Sequence, residues 1–295
     1  MKIGFLGLGI MGKPMAKNLL KAGYELVVCS SRQETNQEME RLGAYVAASP
    51  CELAERSNLL ITMLPNSPEV KEVLLGKEGL INCLKPGSTV VDMSSINPNV
   101  SKELYAELKK KEIDFLDAPV SGGEPKAIEG TVSVMVGGEQ EAFDEWLPVL
   151  QSMAGSVIRV GDTGAGNATK LANQIIVAVN IAAVSEALAL AKKMDINPEL
   201  VYDAIRGGLA GSTVMDAKVP LLLKRDFEPG FKVKLHLKDL NNVKDALNEL
   251  DMELPLASFA KDVLEELVDQ GLGEEDHGAI AKYYEQRLGL TIESE

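Results

Sequence analysis

Lys170, Asn173 and Gln174 stand at i, i+3 and i+4 in the segment Gly164-Ala-Gly-Asn-Ala-Thr-Lys170-Leu-Ala-Asn173-Gln174, so a helix through it sets an ammonium and two amides on one face. Val177 extends that face, and the rest of the helix is strongly apolar, which predicts that the face is partly buried. A lysine lining a cleft can shift its pKa, exchange a proton, and donate a hydrogen bond to a carbonyl oxygen that is becoming an alkoxide. A lysine near a helix start is more often a solvated surface residue; the neighbouring amides favour the chemical reading.

Far upstream, Gly7-Leu8-Gly9-Ile10-Met11-Gly12 follows the strand-like run Lys2 to Leu6 and opens a helical segment that reaches Gly23. In a strand–turn–helix of this kind the first glycine makes the tight turn, the second lets a pyrophosphate approach the backbone, and the third allows close helix–strand packing. The helix N-terminus then offers N–H groups and a favourable dipole to the phosphates. A lone glycine pattern is weak, but here a second strand, Glu25 to Cys29, follows in the required order. An acid about 20 residues past the turn would hold the ribose hydroxyls of NAD. This chain has Ser30, Ser31 and Arg32 instead, two hydroxyls and a guanidinium that suit a 2′-phosphate. NADP(H) is therefore the expected cofactor, with NAD(H) accommodated if Arg32 merely opens the next helix.

A third candidate is Asp117-Ala-Pro-Val-Ser121-Gly122-Gly123-Glu124-Pro125, where successive N–H groups and a hydroxyl could bind a carboxylate. Its place at the exit of a strand, where ligands bind in open α/β sheets, favours that use over an ordinary loop.

Short β-branched runs (Lys2 to Leu6, Glu25 to Cys29, Leu59 to Met63, Thr89 to Met93) alternate with helical segments, a parallel-sheet pattern. Further strands are expected near Ile113 to Leu116, Val132 to Val136 and Val157 to Val160. From Gly164 helical periodicity dominates, broken by Asn197-Pro198, Gly207-Gly208 and Glu228-Pro229-Gly230. The expected organisation is a nucleotide-binding α/β domain over 1–162 and an all-helical domain over 163–295. The length of 295 residues suits two domains, and 45% hydrophobic with 25% charged residues suits a folded chain. A net charge of −14 disfavours nucleic acid and anionic membranes, so an anionic substrate needs a local positive pocket. No export signal is evident, and Cys29, Cys51 and Cys83 lack metal or redox spacing, so reduced thiols in a cytoplasmic protein are expected. The apolar run Ile175 to Ala191, interrupted by Asn180, Ser185 and Glu186, reads as a buried helix rather than a membrane span.

The chain resembles the β-hydroxyacid dehydrogenases, the family of 3-hydroxyisobutyrate dehydrogenase and the glyoxylate and succinic semialdehyde reductases. The resemblance runs over essentially the whole length and rests on Gly7 to Gly12, Asp117 to Gly123, Gly164-Ala-Gly166 through Lys170, and Lys238-Asp239-Leu240. Met63-Leu-Pro-Asn-Ser-Pro68, Ser121 to Ala127 and Gly207 to Thr213 are most similar to the family's branch that reduces tartronate semialdehyde. The resemblance implies a Rossmann-type doubly wound domain followed by an all-α domain, reduction of a small 3-oxo acid by NAD(P)H, and a homodimer or homotetramer. It puts Ser121, Gly122 and Gly123 on the substrate carboxylate and makes Lys170 the general acid. Met63, Leu64, Pro65 and Ser95 would line the cofactor. Phe231 and Lys238 match residues that close over the cofactor, with Phe231 also beside the substrate, and Asp239 would orient Lys238 or Lys170 within the substrate pocket. Many members carry a substrate-contacting Asn four residues after the lysine; here that position is Gln174, with Asn173 one earlier, and either amide could bind.

Only two histidines are present, His236 on the helical approach to Lys238 and His277 beside Asp276, and both read as structural rather than as a dehydrogenase's proton donor. No Cys/His cluster suggests zinc. Glyoxylate, succinic semialdehyde and methylmalonate semialdehyde remain competing substrates. A catalytically silent dinucleotide-binding module is the reading of another class, disfavoured because it would not need Lys170 beside an anion loop.

Overall fold

The computed structural model describes residues 2–294. It divides into two compact units, the first ending at Lys170 and the second beginning at Leu171. The division falls later than the 162/163 boundary read from the sequence, because the first turn of the helix that follows packs on the sheet of the first unit.

In the first unit the chain runs β1 (Lys2–Leu6), α1 (Gly12–Lys21), β2 (Glu25–Cys29), α2 (Gln33–Arg41), β3 (Tyr45–Val46), α3 (Pro50–Glu55), β4 (Leu59–Thr62), α4 (Ser67–Leu75), β5 (Thr89–Asp92), α5 (Pro98–Lys109), β6 (Asp114–Asp117), β7 (Val120–Ser121), α6 (Gly123–Glu129), β8 (Val132–Gly137), α7 (Gln140–Gln151) and β9 (Ala154–Gly161). The sheet order is β3-β2-β1-β4-β5-β6-β8-β7, with β9 beside β8. Strands β1 to β6 pair in parallel, as the alternating pattern predicts. The departure is β8, which runs antiparallel to β6 and β7 before β9 returns parallel to it. The two-residue strands β3 and β7 were not legible, being too short to show a period. Strands β4 and β5 are buried at every position, as central strands covered on both faces must be. One core layer centres on Phe5, Leu19, Leu116 and Trp146, and the other on Leu53, Leu74, Leu104 and Phe115.

Helix α8 (Ala165–Lys193) begins in the first unit and continues into the second. The second unit goes on with α9 (Pro198–Ile205), α10 (Thr213–Leu223), α11 (Val233–Glu249), α12 (Pro255–Asp269) and α13 (Ile280–Leu288), a helical fold as expected. Asn197 and Ser212 cap α9 and α10, accepting from Glu199 N–H and Met215 N–H. Ile181, Leu188, Val219, Leu240, Leu264 and Ile280 centre its core.

Two expectations are corrected. Helix α8 is not fully buried: it is long and apolar enough to cross a membrane, and half of its most apolar window is buried within the molecule. Ile176 and Leu190 on it are 60% and 61% exposed, and Met194 just past its end is 62% exposed. Nor are all three thiols reduced. Cys51 and Cys83 form a disulfide across 32 residues, and Cys29 alone is free; pairing depends on α3 meeting the turn after α4, which spacing does not reveal.

Candidate active site

The sheet order reverses between β1 and β4, the place where an open α/β sheet forms a crevice at its carboxyl edge. The glycine turn sits there. Gly7 has φ +102°, and a Cβ on it would stand 2.2 Å from the Met63 carbonyl oxygen. A Cβ on Gly12 would stand 1.9 Å from the Gly7 oxygen, so both glycines are demanded by the fold itself. Gly9 differs: nothing lies within 4 Å of its Cβ position, which is the open approach a pyrophosphate needs. No side chain caps α1, so its leading N–H groups suit an anion.

Asp92 organises the adjoining loops. Thr62 Oγ1, Ser94 N–H and Ser94 Oγ all donate to its Oδ1, at 2.8, 3.2 and 2.5 Å. Ser94 Oγ in turn accepts the Leu64 N–H at 2.8 Å. This fully buried carboxylate thus sets the Met63-Leu64-Pro65 and Ser94-Ser95 segments. It was missed in the sequence because a single Asp ending a strand carries no pattern.

At the end of β2, Asn36 closes the turn, accepting Ser30 N–H at 3.0 Å and donating to Ser30 O at 2.8 Å. Arg32 N–H donates to Ser30 Oγ, and Arg32 Nη2 reaches the Leu8 carbonyl at 3.0 Å. The guanidinium therefore bridges β2's exit to the glycine turn, where an adenosine ribose would lie. A groove of about 780 Å³ runs beside it, lined by Gly9, Ile10, Lys13, Lys17 and Arg32 among others. Ser31 and Met11 flank these segments, and the residues present fit a dinucleotide.

The Ser121-Gly122-Gly123 segment leaves β7, which follows β6 after Ala118 and Pro119. Gly122 and Gly123 take φ +139° and +72°, conformations that favour glycine, between Ser121 and the start of α6. Asp117, which ends β6, accepts Gly164 N–H and Asn167 N–H, each at 2.7 Å. Burial pushes this carboxyl up to about 7, with the charge of Asp92 adding to the effect and the two N–H bonds opposing it. Asn167 accepts the Ile96 N–H at 3.0 Å and donates to Ser101 Oγ at 3.1 Å. Lys170 follows on the same helix and is 7% exposed, as its face predicts.

In the second unit, Asn173 Nδ2 donates to Gln174 Oε1 at 2.9 Å, and Gln174 Nε2 donates to Asp239 Oδ2 at 2.6 Å. Lys238 Nζ lies 2.8 Å from Asp239 Oδ1. Four of the sequence-selected residues are thus joined in one polar chain, in which Asp239 pairs with Lys238. His236 Nε2 lies 3.1 Å from the Gln174 carbonyl, and His236 and His277 meet through their Nδ1 atoms at 2.9 Å. The Phe231 ring stands edge-on to both, at 5.8 and 5.3 Å. Asp276 accepts the Gly230 and Phe231 N–H groups at 3.1 and 3.0 Å. The histidine pair, 41 residues apart, could not be read from spacing. Among the described residues no group of His, Cys, Asp or Glu is arranged to hold a metal ion.

Residues 2–161 match the family described as the NAD binding domain of 6-phosphogluconate dehydrogenase, and 164–284 match the NAD-binding domain of NADP-dependent 3-hydroxyisobutyrate dehydrogenase. The chain is 40% identical to 2-hydroxy-3-oxopropionate reductase of Escherichia coli over 97% of both chains. The chain belongs to the β-hydroxyacid dehydrogenase family. It is also 36% identical to 2-(hydroxymethyl)glutarate dehydrogenase of Eubacterium barkeri, covering 99% of this chain and 97% of that one. The solved 3-hydroxyisobutyrate dehydrogenase of Mycobacterium tuberculosis superposes with a TM-score of 0.88 at 30% identity, covering 95% of this chain and 98% of its own. The protein is accordingly an NAD(P)-dependent oxidoreductase that acts on CH–OH groups, with a Rossmann-like sheet and a helical C-terminal region.

Proposed function

We propose that this β-hydroxyacid dehydrogenase reduces tartronate semialdehyde to glycerate, with Lys170 as the general acid and NADPH preferred over NADH. The observation that carries the chemistry is a lysine only 7% exposed, on a helix turn tied through Asp117 to the strand that leads into Ser121-Gly122-Gly123. The choice of substrate is supported by the 40% identity to the E. coli 2-hydroxy-3-oxopropionate reductase.

Gly7, Leu8, Gly9, Ile10, Met11 and Gly12 hold the pyrophosphate, and Ser30, Ser31 and Arg32 hold the adenosine 2′-phosphate. Met63, Leu64, Pro65 and Ser95 complete the cofactor's surroundings. The bound nicotinamide supplies the hydride. Ser121, Gly122 and Gly123 hold the substrate carboxylate. Lys170 donates a hydrogen bond to the aldehyde oxygen, stabilises its developing negative charge and delivers a proton to it. Orientation and a preset charge are the protein's contributions. A second copy of the chain covers the exposed Ile176 and Leu190 of α8 and the adjoining Met194 in a homodimer or homotetramer, measurable by light scattering.

The test is steady-state oxidation of NADPH and NADH with tartronate semialdehyde, glyoxylate, succinic semialdehyde and methylmalonate semialdehyde, for wild type and Lys170→Ala. The highest kcat/KM is expected with tartronate semialdehyde, and the substitution should lower it by roughly 10²-fold or more. Full activity in the variant would remove the lysine from the mechanism. Binding of NADPH without turnover of any aldehyde would make the protein a silent module.

A further inference from the structure

Asp117 is the last residue of β6, and the chain runs from it through Ala118 and Pro119 into β7 (Val120–Ser121) and then Gly122-Gly123. Its two carboxylate oxygens also receive the Gly164 and Asn167 N–H groups, Oδ1 the former and Oδ2 the latter, both at 2.7 Å. These belong to the N-terminal donors of α8 that a helix cannot satisfy internally and that an N-cap side chain ordinarily takes. Gly164 has no side chain to do so, and the carboxylate comes from 47 residues away.

The same turn is locked from two other sides. Asn167 is fully buried, holding the Ile96 N–H and the Ser101 hydroxyl. A Cβ on Gly166 would stand 2.4 Å from the Asp117 carbonyl oxygen and 2.5 Å from that of Met135, so this turn lies backbone to backbone against β6 and β8. Lys170 follows Asn167 by three residues, about 4.5 Å of helix rise.

We infer that Asp117 is a positioning residue: its one carboxylate ties the end of β6, four residues before Ser121, to the first turn of α8, and so sets the height and rotation of the helix that presents Lys170. The consequence for catalysis rests on the proposed role of Lys170. An aldehyde must meet its carboxylate holder and its proton donor at once, and a misplacement of about 1 Å costs around 10²-fold in rate.

The experiment uses the full chain with Asp117→Asn and, as a milder change elsewhere in the same anchor, Ser101→Ala. Asn keeps one acceptor but turns an NH₂ group toward the other N–H. For Asp117→Asn, kcat with tartronate semialdehyde should fall about 10- to 100-fold. The NADPH Kd should stay within about threefold, because the glycine turn hangs from β1. Ser101→Ala should fold and lose a smaller part of kcat in the same selective way. Amide exchange at Gly164 and Asn167 should quicken in Asp117→Asn. Unchanged kcat in both variants, or loss of NADPH affinity in step with kcat, would overturn the inference. If wild type reduces no aldehyde the proposed function fails instead, and amide exchange still decides the cap: unaltered protection at Gly164 and Asn167 would sink it.

Discussion

Replacing Asp276 by Ala should unfold the second unit far more easily than its loop position suggests. The side chain is only 3% exposed and ties four donors: Gly230 N–H, Phe231 N–H, Gly278 N–H and the Lys218 ammonium, the last at 2.7 Å and itself 14% exposed. Removing one partner of a buried ion pair costs about 3–5 kcal/mol. Each buried N–H left unpaired adds about 1–3 kcal/mol before water or relaxation recovers part of it. Because water can refill the gap, about 5 kcal/mol is the expected net loss. At roughly 2–4 °C per kcal/mol, that lowers Tm by about 10–20 °C. Urea unfolding followed by circular dichroism, with the slope checked for two-state behaviour, measures it. A Lys218→Met, Asp276→Ala double variant should recover about 1–3 kcal/mol, since no charge is then stranded. A single-variant loss within about 0.5 kcal/mol, the range of ordinary surface changes, would refute the reasoning.

The glycine turn offers a contrast within one motif. Gly9→Ala should leave the apoprotein's stability within about 1 kcal/mol while weakening dinucleotide binding at least tenfold, whereas Gly12→Ala should damage folding, its Cβ meeting the Gly7 oxygen at 1.9 Å; equal effects on stability would contradict the assignment. Arg32→Ala should cost NADPH about 1.5–3 kcal/mol of binding, as for a charge-assisted hydrogen bond, and NADH much less, read by fluorescence titration. Asp117 has a carboxyl raised from 3.8 to about 7 by burial, so its contribution to stability is full below pH 3.8 and is lost as pH rises through 7. Wild type should therefore lose about 3 kcal/mol relative to Asp117→Asn between pH 5 and 8, and a flat difference would disprove the shift. Thiol titration of unfolded, unreduced protein should count one thiol, Cys29, and three after reduction. Reduction should cost about 3–4 kcal/mol for a loop of this length.

The elements that make the site were largely legible because each has a local cause. β-branched runs between helical segments require a parallel sheet, and the glycine turn after β1 requires a helix start. Lys170, Asn173 and Gln174 share a face because helical spacing alone places them there. What local pattern could not show was partnership between distant polar groups. Asp92 with Thr62, Asp117 with Gly164 and Asn167, and His236 with His277 are each pairings whose members carry no periodic mark. The antiparallel β8 was hidden for a similar reason, since a strand's direction depends on its connection and not on its composition.

The doubly wound sheet, the helical second half, the glycine turn and the helix face bearing the lysine follow from local order along the chain, because hydrophobic period and glycine sterics act over a few residues. Packing in three dimensions was needed to show which buried carboxylate caps which helix, that Gln174 and Asp239 are bonded, that Cys51 meets Cys83, and that half of α8's apolar window stays outside the core. Those outcomes follow from the need to pair every buried donor and charge once the chain has packed, a condition that selects partners by proximity in the folded state.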